Sequence, residues 1–270
     1  MIMHRIAAAA LIVIGLVNGP SACAQTPVAT PAPVKFEVAS LKPSQPGGRG
    51  GGIRPSPGGE RYVGTNVSLR LLITLAYRVK NEQVIGGPDW MNTDLYDMNA
   101  KAEKPSSVED LHLMLQDLLA ERFQLKFHRE TKELPIYALT VDKNGPKLAP
   151  HQAQSAGDPW IDQAQEKFLH QTWHAKFVPM DYFAWRLAQV LDRPVVDMTK
   201  LKGGYDFDLV YTRELPPGIP EGASLNGEPI DTSGPSIFEA MQKQLGLKLE
   251  RQKGPVEIMV IDYAEKAVEN

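Results

Sequence analysis

Val108–Val141 reads VEDLHLMLQDLLAERFQLKFHRETKELPIYALTV. Leu111, Met114, Leu115, Leu118 and Leu119 recur at helical spacing and form one apolar stripe, with Asp110, Gln116, Asp117 and Glu121 on the wet side. Ser106 and Glu109 supply a capping box at the start. After Arg122 the period changes to two: Phe123, Leu125 and Phe127 alternate with polar residues. Arg129–Lys132 reads as a turn, and Ile136–Val141 as the returning strand.

The chain closes on the same design. Ser236 and Glu239 form a second capping box, and Ile237, Ala240, Met241 and Leu245 a second stripe. Gly246 stands where a helix ends left-handed. Leu247–Leu249 then alternates, Arg251–Gly254 is predicted to turn, and Val256, Ile258 and Val260 return.

Between these landmarks the order strand–helix–strand–helix–strand–strand is expected twice. The first pass uses Phe36–Leu41, Arg61–Gly64, a helix over Leu69–Val79 capped by Ser68, and the strand Tyr96–Ala102. The second uses Phe177–Val178, a helix whose stripe is Met180, Phe183, Ala184, Leu187 and Leu191, Val195–Val196, and the strand Tyr205–Tyr211. Tyr96-Asp97-Met98 and Tyr205-Asp206-Phe207 fall at equivalent places. The predicted fold is α+β and internally duplicated, with helices on one face of a mainly antiparallel sheet. Residues 35–142 make the first half, 143–168 a polar linker and 169–270 the second half.

The start of the chain reads as a targeting segment. Arg5 precedes an apolar run, Ile6–Val17, and Ala22-Cys23-Ala24 ends it with small residues. Residues 1–24 are expected to leave by cleavage before Gln25, with 25–34 a disordered Pro/Ala/Thr leader. A lipoprotein anchored at Cys23 is the weaker alternative, because Pro20 stands where a leucine-like residue belongs. An exported protein, periplasmic or extracellular, is the expectation. Cleavage removes the only cysteine and shifts the formal charge from −3 to −4, leaving neither a disulfide nor a basic stripe for nucleic acid. No later segment is apolar enough to span a membrane.

Phe36–Pro43, Thr65–Leu69, Gly86–Trp90, Leu118–Phe123, His128–Pro135, Gln244–Leu249 and Val260–Asp262 together resemble the soil-associated secreted bacterial protein family of unknown function. The resemblance covers essentially all of the chain after the leader. The resemblance implies an extracytoplasmic protein and related domains fused behind membrane metallopeptidase sensors, and it supplies no catalytic residues. A looser likeness of each helix–strand unit to small modules of secretins and TonB-dependent receptors is analogy of fold alone. One departure stands at Thr199-Lys200-Leu201-Lys202-Gly203, where the family pattern resembles Thr-Gly-Leu-Thr-Gly, so a glycine-dependent turn is in question.

The chemistry-bearing residues give no complete motif. His170 and His174 have the spacing of a zinc helix, but Gln171 replaces the glutamate base and the segment runs into a strand. His112, His128 and His151 read as ordinary polar residues. The glycines at 47–52 match neither a P-loop nor a dinucleotide fingerprint. There is no G-x-S-x-G and no S-x-x-K. Asp97 with Asp206, or Asp197 with Asp206, form candidate carboxylate pairs, although equivalent places on duplicated strands favour a structural role. Trp90, Trp160 and Trp173 are open to stacking, and Trp185 reads as core.

No metal, cofactor or catalytic residue is expected. The binding site expected is a cleft among the 47–59 loop, the Gly86–Trp90 turn and the Gly203–Gly204 turn. Arg49 and Arg54 would be its donors and Trp90 its stacking face, and the ligand would come from the cell envelope. The expected function is a non-catalytic binding or accessory, sensor-like module. The alternatives are an envelope polymer hydrolase using a carboxylate pair and a structural partner-binding module.

Overall fold

The computed structural model describes residues 35–45, 51–55, 59–152 and 159–267, the side chains of 54 and 55 excepted. The expected signal segment, the leader, Cys23 and Arg49 lie outside the described residues. The strands are β1 (Phe36–Pro43), β2 (Gly52–Pro55), β3 (Arg61–Ser68), β4 (Val84–Gly86), β5 (Leu95–Ala102), β6 (Lys126–Val141) and β7 (Ala149–Pro150). They continue with β8 (Trp160–Gln165), β9 (His170–Val178), β10 (Val195–Asp197), β11 (Tyr205–Thr212), β12 (Ser224–Leu225), β13 (Glu228–Pro229) and β14 (Leu247–Tyr263). The helices are α1 (Leu69–Ala76), α2 (Trp90–Thr93), α3 (Val108–Arg122), α4 (Met180–Val190) and α5 (Ile237–Ala240), the last prolonged by a π-turn over Met241–Leu245.

Three four-stranded sheets are described. The first runs β1-β5-β3-β2 and the third β7-β11-β9-β8, both antiparallel; the second, β10-β6-β14-β4, is mixed. The chain is thus α+β with mainly antiparallel pairing, as its alternation predicts. On the first sheet Tyr62, Tyr96, Met98 and Ala100 face the predicted stripes of α1 and α3. On the third, Trp173, Ala175, Phe207 and Leu209 face α4 and α5. Burying one such side chain contributes about 1.5–3 kcal/mol, while an exposed ion pair contributes roughly 0–1 kcal/mol. The stripes therefore hold the fold.

The second sheet corrects two expectations. Neither Arg129–Lys132 nor Arg251–Gly254 turns. Each lies inside one long strand, and β6 and β14 pair antiparallel from Leu247 opposite Val141 to Tyr263 opposite Lys126. Four consecutive polar residues read as a turn, but they are polar because residues 128–133 and 250–253 are exposed on both faces. Pro135 and Pro255 sit in this stretch, beyond the reach of β10 (opposite 137–139) and β4 (opposite 259–261), where the ribbon has only two strands. Proline is tolerated at such edges because no further ladder needs its missing N–H.

The ribbon also crosses between the cores. β6 begins beside the first core at Phe127 and ends in the second at Leu139, whereas β14 begins in the second at Leu247 and ends in the first at Met259 and Ile261. Both halves therefore share one sheet. The stretch read as a linker, 143–168, carries the edge strands β7 and β8 of the third sheet.

Local chemistry explains the ends. Ser68 caps α1 by accepting the Leu71 N–H, as predicted. The cap of α3 is Ser107, accepting from Asp110, one residue later than expected, and Glu109 instead pairs with Arg78. Gly246 is left-handed at φ 64°, and a Cβ there would lie 2.2 Å from the Gly145 carbonyl oxygen. Lys200 occupies the turn questioned above at φ 62°. Asp197 accepts the Thr199 N–H and hydroxyl there, so side-chain hydrogen bonds replace the conformational freedom of glycine.

Candidate functional site

Asp97 and Asp206 show what the repeated tyrosine–aspartate stretches do. β3 bulges at Asn66 (φ 51°) and β9 at Phe177 (φ 50°), conformations unfavourable to residues other than glycine. Asp97 Oδ1 accepts the Asn66 N–H at 3.0 Å and the Ser44 hydroxyl at 2.8 Å. Asp206 Oδ1 accepts the Phe177 N–H at 2.9 Å and lies 2.8 Å from His151 Nδ1. The backbone N–H and hydroxyl donors hold the Asp97 carboxyl below its ordinary range. Desolvation pushes Asp206 upward, but Phe177 and His151 outweigh it and its net shift is also downward. A glycosidase acid needs the opposite shift, so these carboxylates fasten bulges.

The histidines likewise meet carboxylates. His128 lies between Asp262 (2.8 Å) and Glu130 (3.3 Å), and His174 2.7 Å from Asp208. His170 and His174 sit four residues apart on β9, about 13 Å along a strand. Among the described residues no group of three or more His, Cys, Asp or Glu side chains could hold a metal ion. The nearest approach to a relay is Thr212 Oγ1, 3.5 Å from His170 Nδ1, whose Nε2 is 3.2 Å from Asp231. Thr212 is 8% exposed and donates to the Ser233 carbonyl at 2.7 Å, so its hydroxyl is not a free nucleophile.

His112 corrects its reading as a polar-face residue. It is 5% exposed, and Arg78 Nε donates to its Nδ1 at 3.4 Å. Burial, followed by the nearby Arg78 charge, lowers its pKa to about 4. Trp173 is also corrected: it is fully buried against Phe183 and Tyr211 and offers no stacking face.

Of the expected binding residues, Arg54 lies in β2 opposite Val63, with its side chain outside the described set. Trp90 opens α2 and closes the first core, its ring stacked on Phe123 at 6.3 Å and the Lys266 ammonium 5.8 Å from its centroid. Trp160 stands exposed at the start of the edge strand β8.

A different concavity gathers polar and apolar groups. A groove of about 590 Å³ lies among the end of α4, the β6–β14 ribbon, the start of α5 and the loop after β11. Its floor is the Tyr137 ring, with the Arg251 and Arg193 guanidinium carbons 5.9 and 5.7 Å from its centroid and Phe238 edge-on at 5.3 Å. Arg213, Glu214, Pro216 and Pro217 form a rim. Desolvation would raise the Asp192 pKa, but the Tyr137 hydroxyl and Arg193 hold it low. Among the described residues Arg213 and Arg251 have no carboxylate at ion-pair distance.

Two further grooves, of about 330 Å³ beside α4 and 180 Å³ beside α3, are smaller. None of the three is lined by the Gly86–Trp90 or Gly203–Gly204 turn. Sequence reasoning missed Arg251 because it was read into a turn, and Arg213 because it lies in the loop after β11, outside any motif. The unbroken apolar run Ile136–Leu139, which buries Tyr137, was the available signal.

No curated protein and no solved structure matches the chain. The model of the family described as a protein of unknown function, DUF3738, matches residues 70–264, well over half of the sequence, and the chain belongs to that family.

Proposed function

We propose that the protein is an exported, non-catalytic binding or accessory module of the cell envelope. The observation that carries the binding part is the groove over Tyr137, which joins an aromatic floor to two arginines that have no carboxylate partner among the described residues. Its volume falls within the roughly 300–1,000 Å³ of ligand pockets. Export rests on the charged start, apolar run and small residues of 1–24. The carboxylate-pair hydrolase gains no support, because Asp97 and Asp206 are committed to bulge N–H groups and shifted away from acid duty. Descent of the halves from a duplicated unit is supported by their matching bulges and by the parallel placement of β4 and β10 on the ribbon.

Titration of the purified protein with solubilised cell-wall fragments, by calorimetry with mass spectrometry of the products, tests this reading. Saturable heat without new products is expected; released product, or no heat from any fragment, refutes it. N-terminal sequencing of protein from periplasm or medium should begin at Gln25. A lipid-modified Cys23 would change the localisation to an anchored one.

A further inference from the structure

The groove's residues restrict what it can hold. Arg213 and Arg251 present two guanidiniums that never lose their charge and offer planar pairs of donors suited to a carboxylate. The Arg251 guanidinium carbon lies 5.9 Å from the Tyr137 ring centroid, within cation–π reach. Glu214 follows Arg213 directly, and Asp192, just past the end of α4, lines the groove too, already engaged by Arg193. These two carboxylates repel a polyanion, so a polyphosphate or nucleic-acid strand is disfavoured. The rest of the lining is mostly apolar (Leu191, Leu215, Pro216, Ile237 and Phe238 among it), with hydroxyls from Tyr211, Thr212 and Ser236. One carboxylate, an apolar body and groups able to donate to Glu214 describe the end of a peptide.

We propose that this groove binds the free C-terminal carboxylate and last apolar residues of a short extended peptide, Arg213 and Arg251 taking the carboxylate. The proposal rests on the binding reading above and names the ligand class for that site.

The probe is a pool of N-acetyl tripeptides ending in apolar residues, prepared as free acids and as C-terminal amides. Equilibrium dialysis against the full exported chain, read by mass spectrometry, measures retention. Free acids should be enriched over amides by about tenfold or more, and Arg213→Gln or Arg251→Gln should each remove about tenfold. Arg251→Lys should behave like the glutamine variant, because an ammonium lacks the planar fork that takes a carboxylate bidentately. Both arginines are exposed, so unchanged melting temperatures should accompany the losses. Equal retention of acids and amides, retention indifferent to both arginines, or no retention at all overturns the proposal. Displacement by equimolar inorganic phosphate would make the site a general anion site and overturn the peptide assignment. Cell-wall fragments that still bind the doubly substituted protein would leave the binding reading standing while this site falls. Peptide acids retained where no cell-wall fragment binds would do the reverse.

Discussion

At the scale of single residues, several side chains sit in states that the sequence pattern does not announce. His112 is neutral in the folded protein down to about pH 4, whereas an unfolded histidine takes its proton near 6.5. Between those values the unfolded chain binds the extra proton, so stability must fall as pH drops from about 6.5 to 4, by up to roughly 3 kcal/mol. His128 pulls the other way, since Asp262 and then Glu130 raise its pKa and favour the charged form. The difference between denaturation curves of the parent and His112→Gln, at pH 4.5 and 7.5, isolates the first effect. A difference independent of pH would contradict it. Lys200 offers a second test: a left-handed lysine costs about 1–2 kcal/mol, part of which glycine gives back in chain entropy. Lys200→Gly should raise the melting temperature by roughly 1–3 °C. The cap at Ser68 and the left-handed Gly246 were legible in the sequence because one residue type decides each. The burial of His112 was not, because it depends on Tyr62 and Arg78 arriving from other elements.

At the scale of elements, the stripes of α1, α3, α4 and α5 were readable from periodicity, and they dominate stability. Leu115→Ala should cost about 2–5 kcal/mol, and His174→Ala, on an exposed strand position, less than about 0.5 kcal/mol, both measured by urea denaturation. The bulges give a sharper comparison. Asp97→Ala and Asp206→Ala each remove an acceptor from a backbone N–H held in a left-handed residue, at about 1–3 kcal/mol. Asparagine at either place keeps an acceptor and should lose less. Asp97 is held below its ordinary range, so the stability it contributes is present above the unfolded carboxylate pKa of about 3.9 and lost as pH falls through its depressed folded value. What the sequence hid was the ribbon. RETKE in β6 and ERQKG in β14 have the polarity of turns, and polarity alone does not distinguish a loop from a strand wet on both sides.

At the scale of the whole molecule, the two halves are complete only together. Leu139 of β6 lies in the second core, and Met259 and Ile261 of β14 lie in the first. A fragment of residues 35–142 should therefore stay unfolded by circular dichroism, and addition of 143–270 should restore the native spectrum. Independent folding of either piece would show that the crossing ribbon is dispensable. The α+β character and the helix stripes were legible from periodicity, but the exchange of β6 and β14 between the two cores was not, since register across more than a hundred residues leaves no local mark. The groove was hidden for the same reason: its arginines come from the loop after β11 and from β14. The crossing also sets a clock on synthesis. β4 docks beside Met259–Ile261, so the first core cannot close until residues 259–261 have been synthesised. At about 5–20 residues per second, the chain spends many seconds with its earliest hydrophobic faces open, available to a chaperone before any native lock has formed.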